Sequence, residues 1–264
     1  MQMTSSTDLV SYHAGEDHVA TITINRPEKM NALNAEMLAE IKRLWQVVRD
    51  DDKVHAVVLR ASGEKAFSTG LDRVQGFKYP DNVWNKPDPG TSLDPKHHKV
   101  WKPVVCAVNG TCAGGAFYLV GGSDIVIAST DATFFDPHVD YGLVAALEPI
   151  SMMQRMPLGE VLRISLLGLE ERMSAERARQ IGLVSEVVDP EKLHERAHEL
   201  ARRIAGKPSV STQGTVRAIW EALDAGRTQA LERGLSYTQI GNPIGLAIAE
   251  NLMKTGKRLP FEVR

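Results

Sequence analysis

The sequence predicts an α/β protein that ends in a purely helical region, and three observations support this. Short apolar segments of strand length alternate with segments of helical spacing as far as about residue 205. From there to about Lys254, every periodic segment has helical spacing. The central stretch, residues 104–120, joins an apolar strand to a buried helix through two adjacent glycines. Strands alternating with helices, followed by helices alone, indicate an α/β core with an α-helical extension.

The composition is that of an ordinary globular protein. The 264 residues are 43% hydrophobic and 24% charged, enough for one large domain or two modest ones. The formal net charge is -2 and no basic block occurs. A nucleic-acid partner is therefore not expected.

The sequence gives no sign of membrane insertion or of export. The first twenty residues contain no apolar run of signal-peptide length, and no stretch approaches the roughly 20 apolar residues of a membrane span. Cys106 and Cys112 flank the central turn and are interpreted as small buried apolar residues rather than a disulfide or a metal site. We expect a cytoplasmic protein without membrane insertion and without a bound metal.

The amino-terminal part predicts two strands and one long helix. Residues 1–11 are expected to form a partly ordered lead-in. Residues 20–24 alternate apolar side chains with threonine, which predicts a strand that ends at the turn 25–27. Asn31 or Asn34 can cap a helix that runs to about Asp50, and residues 54–59 predict the next strand.

Two predicted loops precede the central stretch. Residues 61–72 form a loop at a strand edge that carries Gly70. Residues 79–103 are rich in Pro, Asp and Lys and predict a long irregular loop. In a compact domain such a loop is usually functional or mobile.

The central stretch reads as a strand, a turn and a helix. Residues 104–108 form a short apolar run of the kind that is buried on both faces of a sheet. Gly114 and Gly115 then precede the apolar helix of residues 116–120. The first amides of a helix lack intrahelical partners and point outward at the positive end of the helix dipole. They can therefore bind an anion or a developing oxyanion. The alternative interpretation is a tight packing turn.

The remaining elements follow from the same signals. Strands are predicted at 125–127 and 133–135, the latter leading to Asp136-Pro137-His138. Pro149 fits the first turn of a helix, which places Glu148 at its start. The other predicted elements are a helix at 161–169, a helix from a Ser174 cap to Ile181 closed by Gly182, a strand at 183–188, and helices at 190–205, 216–225, 229–240 and 244–253.

Glycine exposes backbone amides in two places, residues 68–71 and residues 113–115. Two amides directed at one carbonyl oxygen would stabilise an enolate or a tetrahedral oxyanion. Removing one such donor typically lowers the rate by about 10²–10³-fold. Spacing alone does not establish that the two segments meet.

Several blocks of the sequence, taken in order over roughly residues 17–255, resemble the enoyl-CoA hydratase/isomerase (crotonase) superfamily. Together they are specific for that superfamily. The blocks are Asn25 to Leu33 (NRPEKMNAL), Ala66 to Asp72 (AFSTGLD), Lys102 to Gly115, Ser174 to Ala178 (SAERA) and Gly182-Leu183-Val184.

The resemblance implies a crotonase-like spiral of ββα units over residues 1–200, which would hold the active site. Residues 201–264 would form a helical oligomerisation region, giving a homotrimer or a dimer of trimers. The ligand would be an acyl-CoA thioester, with no prosthetic group. The amides of Leu71 and Gly115 match the family's two oxyanion donors.

The resemblance also implies a set of CoA contacts. Arg26 and Lys29 fall where the family places basic groups near the CoA phosphates, and Lys65, Ala66 and Phe67 fall where the adenine docks. Asp72 follows the first oxyanion donor, as it does in many members. A lysine on a surface is as often only a solvated charge, so Lys29 has both interpretations.

The sequence departs from the family's hydratases at both catalytic glutamates. Their positions are occupied by Tyr118 and His138. Hydration of an enoyl thioester requires a base for water and an acid for the α-carbon. Tyrosine, with an ordinary pKa of about 10, is a poor base, whereas histidine at about 6.5 can serve as either. Hydratase activity of the usual kind is therefore not expected.

Three side chains are candidates for the missing acid–base groups. His138 is the first, unless a backbone carbonyl merely satisfies it. Glu148 is the second; at a helix amino terminus it should stay ionised and act as a base, unless it only caps the helix. Tyr118 could donate a hydrogen bond to the substrate or simply pack. Asp136 and Asp140 flank His138, but the sequence does not establish that either aspartate orients its imidazole.

The predicted function is therefore an enzyme of the enoyl-CoA hydratase/isomerase family, a lyase or an isomerase. Its reaction is open among isomerisation, decarboxylation, thioester hydrolysis and hydration by altered residues. A second hypothesis is an acyl-CoA-binding protein without catalysis. A third is a trimeric interaction module that does not bind CoA at all.

Overall fold

The computed structural model describes residues 5, 7–76, 81–82, 84–85, 87–254 and 261–263, and it confirms the predicted α/β class. The strands, in chain order, are β1 (Val10–Ala14), β2 (Val19–Ile24), β3 (Ala56–Ala61), β4 (Ala66–Ser68), β5 (Val104–Val108), β6 (Thr111–Ala113), β7 (Ile125–Ser129), β8 (Thr133–Phe135), β9 (Met173–Ser174) and β10 (Glu186–Val188). The helices are α1 (Ala35–Asp50), α2 (Ala116–Gly122), α3 (Leu147–Met152), α4 (Leu158–Leu167), α5 (Ala175–Gln180), α6 (Leu193–Ala205), α7 (Ser209–Ala222) and α8 (Arg227–Met253).

The strands form two sheets. The larger sheet has the order β1-β2-β3-β5-β7-β10, and the smaller has the order β4-β6-β8-β9. Consecutive strands are divided between them, so that β3, β5 and β7 lie in the larger sheet while β4, β6 and β8 lie in the smaller. Neighbouring strands are parallel except at the two edges formed by β1 and β9. This repeated division between sheets is the spiral of ββα units that was expected.

The helix α1 begins where the sequence predicts. Asn34 is its cap, because its side-chain oxygen accepts a hydrogen bond from the amide of Met37 at 3.0 Å. Asn31 has a different role, since its side-chain amide donates to the carbonyls of Ser62 and Ala66. Asn31 thus fixes the turn before α1 against the strand that precedes the candidate site.

The core is divided by the larger sheet. On one face, α6 packs its small residues against β3, β5 and β7. On the other face lies the main core, which includes α1 and α2. Every residue of β5 is buried, as predicted for a strand covered on both faces.

Three predicted elements need correction. Part of the expected lead-in is the strand β1, which forms an antiparallel hairpin with β2. The segment between the central turn and Gly114 contains the short strand β6. The two helices predicted at 229–240 and 244–253 are one helix, α8, with Pro243 inside it. Close packing of Gly241 and Gly245 against α7 supports α8 on both sides of this proline.

None of the helices in the described ranges is both long enough and apolar enough to cross a membrane.

Candidate active site

The turn between β6 and α2 presents a free backbone amide. Gly114 has a φ of +52°, a conformation that favours glycine, and its amide donates to the carbonyl of Phe135 at 3.3 Å. Gly115 precedes the first residue of α2. Its amide has no hydrogen-bond acceptor among the described residues. The predicted helix amino terminus is therefore present and available.

A second free amide belongs to Leu71. Gly70 has a φ of +85°, and its carbonyl accepts from the amide of Leu33 at 2.8 Å. The amide of Asp72 donates back to the carbonyl of Leu33 at 2.8 Å. The residues on either side of Leu71 are thus both hydrogen-bonded to Leu33. The amide of Leu71 itself has no acceptor within the described part of the chain.

The two amides lie next to each other. A Cβ atom on Gly115 would lie 3.2 Å from the Leu71 nitrogen and 3.0 Å from the Leu71 Cγ. A Cβ atom on Gly70 would lie 2.7 Å from the Gly115 nitrogen. Two neighbouring donors without protein acceptors can bind one oxygen atom and stabilise negative charge on it.

His138 lies beside this turn and is held by Asp136. The Cε1 atom of His138 is 3.7 Å from where a Cβ atom of Gly114 would stand. Asp136 is fully buried directly after β8, and its Oδ1 accepts from both the amide and the Nδ1 of His138. This hydrogen bond raises the pKa of His138 despite the opposing effect of burial.

Asp136 therefore orients the imidazole of His138, a role that the sequence alone did not establish. The contact is made in a turn, because the strand β8 ends at Phe135. The chain turns at Pro137, and the aspartate side chain accepts from the amide two residues on, as Asx turns do. Asp140 is elsewhere, accepting from the amide of Leu169 at 2.7 Å.

Glu148 lies on the other side of the imidazole. Its Oε1 is 3.6 Å from the Nε2 of His138, and the side chain is buried. Pro149 is in the first turn of α3, as predicted. Burial raises the pKa of Glu148. The expected stabilisation of the ionised form by the helix amino terminus is therefore smaller than the effect of burial. The reason is that α3 has only six residues, while the carboxyl group is withdrawn from water.

Tyr118 is paired with a residue of the long loop. Its hydroxyl donates to Oδ2 of Asp88 at 2.6 Å, and Gly90 packs against its ring. Burial, reinforced by the bond to Asp88, raises the pKa of Tyr118. The phenol therefore keeps its proton and cannot serve as a base. The described part of the long loop thus reaches the candidate site, as its length suggested.

A cleft of about 490 Å³ leads to the amide of Leu71. Its walls come from the segments around Arg26, Leu71, Ala113 and Phe135. Arg73 covers one side, with its guanidinium 3.4 Å from the ring centre of Tyr141. His138, Glu148 and Tyr118 lie beyond this cleft rather than in its walls.

Two predicted CoA contacts at the cleft differ in accessibility. The guanidinium of Arg26 is buried and pairs with Asp72 at 2.6 Å. That bond is the main reason why the pKa of Asp72 is lowered. Lys29, by contrast, is exposed at the edge of the cleft. We therefore expect Lys29 rather than Arg26 to be open to a phosphate, with Asp72 and Arg26 supporting the loop of Leu71.

The three residues predicted at the adenine are also unequal. Lys65 is exposed. Ala66 and Phe67 lie in β4 and are buried, and the Phe67 ring belongs to the main core. Neither Ala66 nor Phe67 is therefore open to a ligand, and of the three predicted contacts only Lys65 is accessible.

Sequence reasoning missed the roles of Asp88 and Asp136. Asp136 could have been found from the spacing Asp-Pro-His, because an aspartate before a turn commonly accepts from the amide two residues later. Asp88 had no such signal. It comes from an irregular loop, and only the folded chain brings it to Tyr118.

The groups gathered at the site are suited to acid–base chemistry. The described residues contain no group of three or more His, Cys, Asp or Glu that could hold a metal ion. Cys106 and Cys112 are free and buried, as expected, and burial raises the pKa of Cys106 to about 12. The reactive groups are instead two free amides, an imidazole and a buried carboxyl.

Comparison with known proteins gives a family match. The family model described as enoyl-CoA hydratase/isomerase matches residues 14–240. The chain is 34% identical over 236 residues to (E)-benzylidenesuccinyl-CoA hydratase of Thauera aromatica, covering 85% of this chain and 86% of that protein. It is 32% identical over 227 residues to 1,2-epoxyphenylacetyl-CoA isomerase of Escherichia coli, covering 83% and 84% of the two chains.

A solved structure agrees with this match. The crystal structure of an enoyl-CoA hydratase/isomerase from Mycobacterium paratuberculosis superimposes with a TM-score of 0.80 at 37% identity, covering 89% of this chain and 90% of that one. The similarity therefore includes both the sequence and the fold.

Proposed function

This chain belongs to the enoyl-CoA hydratase/isomerase family, and from that premise we propose that it isomerises the double bond of an enoyl-CoA thioester through an enolate. The observation that carries the proposal is the position of the Asp136–His138–Glu148 group beside two free amides. The amides account for the charge on oxygen, and the imidazole and carboxyl account for the movement of a proton.

The amides of Leu71 and Gly115 bind the thioester oxygen. When a proton leaves the carbon next to the thioester, the electron pair moves to that oxygen. Fixed donors stabilise the charge without reorganising, because the fold already holds them in place. This role needs no side chain, and neither amide donates to an acceptor within the described part of the chain.

His138 and Glu148 move the proton. In a 3-enoyl thioester, the neutral imidazole takes the proton from C2, and the resulting dienolate is protonated at C4. Glu148, whose pKa is raised by burial, can carry the proton that C4 receives. Asp136 stabilises the imidazolium that forms, since it accepts from the Nδ1.

The cleft would hold the CoA portion of the substrate. Lys29 at its edge is placed to meet a phosphate, and Lys65 is exposed near the predicted adenine position. CoA would act as the carrier of the acyl group, and no prosthetic group enters the proposed reaction.

A solvent-isotope experiment tests the reaction type. A panel of 2-enoyl- and 3-enoyl-CoA thioesters is incubated with the enzyme in deuterated water or in ¹⁸O-water. The masses of the products are then measured by mass spectrometry. Isomerisation predicts deuterium in the acyl chain and no ¹⁸O. His138→Ala and Glu148→Ala should each suppress the deuterium uptake.

Other outcomes would contradict the proposal in distinct ways. Turnover that is unchanged in both variants would show that these are not the acid–base groups. Binding of acyl-CoA without turnover of any thioester would favour the acyl-CoA-binding protein. Loss of carbon dioxide or release of free CoA would indicate decarboxylation or thioester hydrolysis.

A second candidate function is hydration by this altered set of residues. The distance of 3.6 Å between Nε2 of His138 and Oε1 of Glu148 is longer than a hydrogen bond and leaves both groups able to contact one water molecule. Several matched relatives are named as hydratases. Incorporation of ¹⁸O at C3 would establish hydration in place of isomerisation.

We also propose that the protein is a cytoplasmic homotrimer or dimer of trimers. Two free, buried thiols fit a reducing compartment. The exposed apolar residues of α3, α4 and α8 fit an assembly that covers them.

A further inference from the structure

The loop residue Asp88 adds a carboxyl group to the part of the candidate site beyond the cleft, where Tyr118, His138 and Glu148 lie. In the proposed function this part, called the acyl end, would hold the acyl group. Its Oδ2 accepts the hydroxyl of Tyr118 at 2.6 Å, and its Oδ1 accepts the amide of Gly90 at 3.0 Å. Because both oxygens act as acceptors, the contacts are those of a carboxylate held in a fixed orientation. Tyr118, on the first turn of α2, connects this carboxylate to the oxyanion amides.

The site therefore gathers three carboxyl groups, with Asp136 and Glu148 beside His138 and Asp88 at Tyr118. Asp88 and Asp136 both act on the pKa of Glu148 in the same direction as burial, and His138 acts against them. A further cation that influences His138 is Arg73, which is stacked on Tyr141 at the cleft. Among the described residues, this part of the site holds more acidic than basic side chains.

The unused hydrogen-bonding positions of this region are acceptors as well. The hydroxyl proton of Tyr118 is given to Asp88, so its oxygen can only accept. The Oδ2 of Asp136 is buried and has no partner in the described part of the chain. Among the described residues, the amides of Leu71 and Gly115 are donors without a protein acceptor, and the thioester oxygen would occupy them. The proton of His138 or Glu148 would serve the reaction itself.

We infer that Asp88, acting with Tyr118, is a specificity determinant that admits uncharged acyl groups and rejects an acyl group ending in a carboxylate. A carboxylate that reached Asp88 and Tyr118 would bring only acceptors and a negative charge to side-chain oxygens that themselves can only accept. Like charges a few Å apart in such a site should weaken binding by roughly ten- to a hundredfold. The inference rests on the proposed function, since it takes the ligand to be an acyl-CoA.

The test compares two saturated thioesters that differ in one group. Pentanoyl-CoA and glutaryl-CoA have the same chain, with a terminal methyl in one and a carboxylate in the other. Neither contains a double bond, so isothermal calorimetry on the intact protein measures binding alone. We expect pentanoyl-CoA to bind at least tenfold more tightly. Equal affinity, or tighter binding of glutaryl-CoA, would overturn the inference without any variant.

Variants then assign the effect to Asp88. Asp88→Asn keeps an acceptor for Tyr118 but removes the charge, and it should reduce the affinity ratio of the two thioesters. Glu16→Gln removes one exposed charge from the β1–β2 turn, which contributes no residue to the candidate site, and should leave the ratio unchanged. A ratio that persists in Asp88→Asn, with its melting temperature retained, would show that another group selects the acyl chain.

Failure of the proposed function would look different. If neither thioester bound to the wild-type protein, the acyl-CoA assignment itself would be wrong, and the inference would fall with it.

Discussion

At the scale of single residues, His138 is the group whose surroundings determine the chemistry. Asp136 holds its Nδ1, which leaves the Nε2 directed toward Glu148. The pKa of His138 is raised chiefly by the hydrogen bond to Asp136. If neutral His138 is the base, activity should require a pH above this raised value.

Replacing Asp136 by asparagine tests this link. The pKa of His138 should fall, so its neutral form should appear at lower pH. We expect the acidic limb of the kcat/KM profile to lie above the ordinary histidine value of about 6.5 in the wild type and to move to lower pH in Asp136→Asn. A limb that does not move would show that His138 is not the titrating base.

Glu148 illustrates a conflict between stability and activity. Because its folded-state pKa is raised, the ionised carboxyl destabilises the fold as pH rises above the ordinary glutamate value. Glu148→Gln should therefore gain in melting temperature relative to the wild type between pH 4 and pH 8, while losing about 10²-fold or more in kcat. A variant that loses stability at all pH values would contradict the burial argument.

The limits of prediction at this scale follow from how each residue is positioned. His138 and Glu148 could be proposed because they lie beside recognisable chain signals, a strand end and a proline-initiated helix. The raised pKa of Glu148 was not predicted, since the sequence does not reveal that its carboxyl group is buried. Asp88 reaches the site through a loop with no periodic pattern.

At the scale of structural elements, the site depends on two loops that meet at glycines. A side chain at Gly115 would press on Leu71, because a Cβ atom there would be 3.0 Å from the Leu71 Cγ. The two amides would separate or the oxygen position would be filled.

Gly115→Ala should therefore lower kcat by about 10²–10³-fold while the protein stays folded. Gly159→Ala is the matched control, because nothing lies within 4 Å of a Cβ atom there, and it should leave kcat unchanged. Steady-state kinetics of both variants decides the point. Full activity in Gly115→Ala would rule out a role for this close approach.

A partly buried polar network joins the helical extension to the core. Trp220 of α7 donates its indole N–H to Oδ1 of Asp124 at 2.6 Å. Oδ2 of the same carboxylate accepts from Lys96 at 2.8 Å and from the amide of Val104 at 2.7 Å. Asp124 thus connects α7, the long loop and the start of β5.

Trp220→Phe leaves one oxygen of this partly buried carboxylate without its protein donor. We expect a loss of about 1–3 kcal/mol in the free energy of unfolding, measured by denaturant titration. Trp84→Phe is the control, because Trp84 is 94% exposed and should change stability by less than about 0.5 kcal/mol. Equal effects of the two substitutions would contradict the network's role.

Most elements could be predicted, and the errors have local causes. The buried run of β5 and the cap of α1 have strong signals in the sequence. The strand β6 has only three residues and depends on pairing with β4 and β8. The continuity of α8 through Pro243 depends on packing against α7, which no local pattern encodes.

At the scale of the whole molecule, the exposed apolar side chains require an explanation. Leu166 of α4 is 67% exposed and Leu235 of α8 is 59% exposed, and they have apolar neighbours on the same helices. Surfaces of this kind are usually covered by a partner. The proposed homotrimer would cover them with further copies of the chain.

Sedimentation equilibrium should therefore give three or six times the mass of one chain. Leu235→Lys should shift the protein toward smaller species, because a charge would be buried at the interface. Gln239→Lys adds the same charge at an exposed polar position of α8 and should have less effect. A wild-type protein that sediments as a single chain would contradict the assembly.

The most direct test of the central claim is a crystal structure of the complex with a saturated acyl-CoA. We expect the thioester oxygen to lie within about 3.1 Å of the amide nitrogens of both Leu71 and Gly115, with the acyl chain passing His138 and Glu148. A thioester oxygen bound elsewhere, or amides that donate to carbonyls of the protein, would contradict the account.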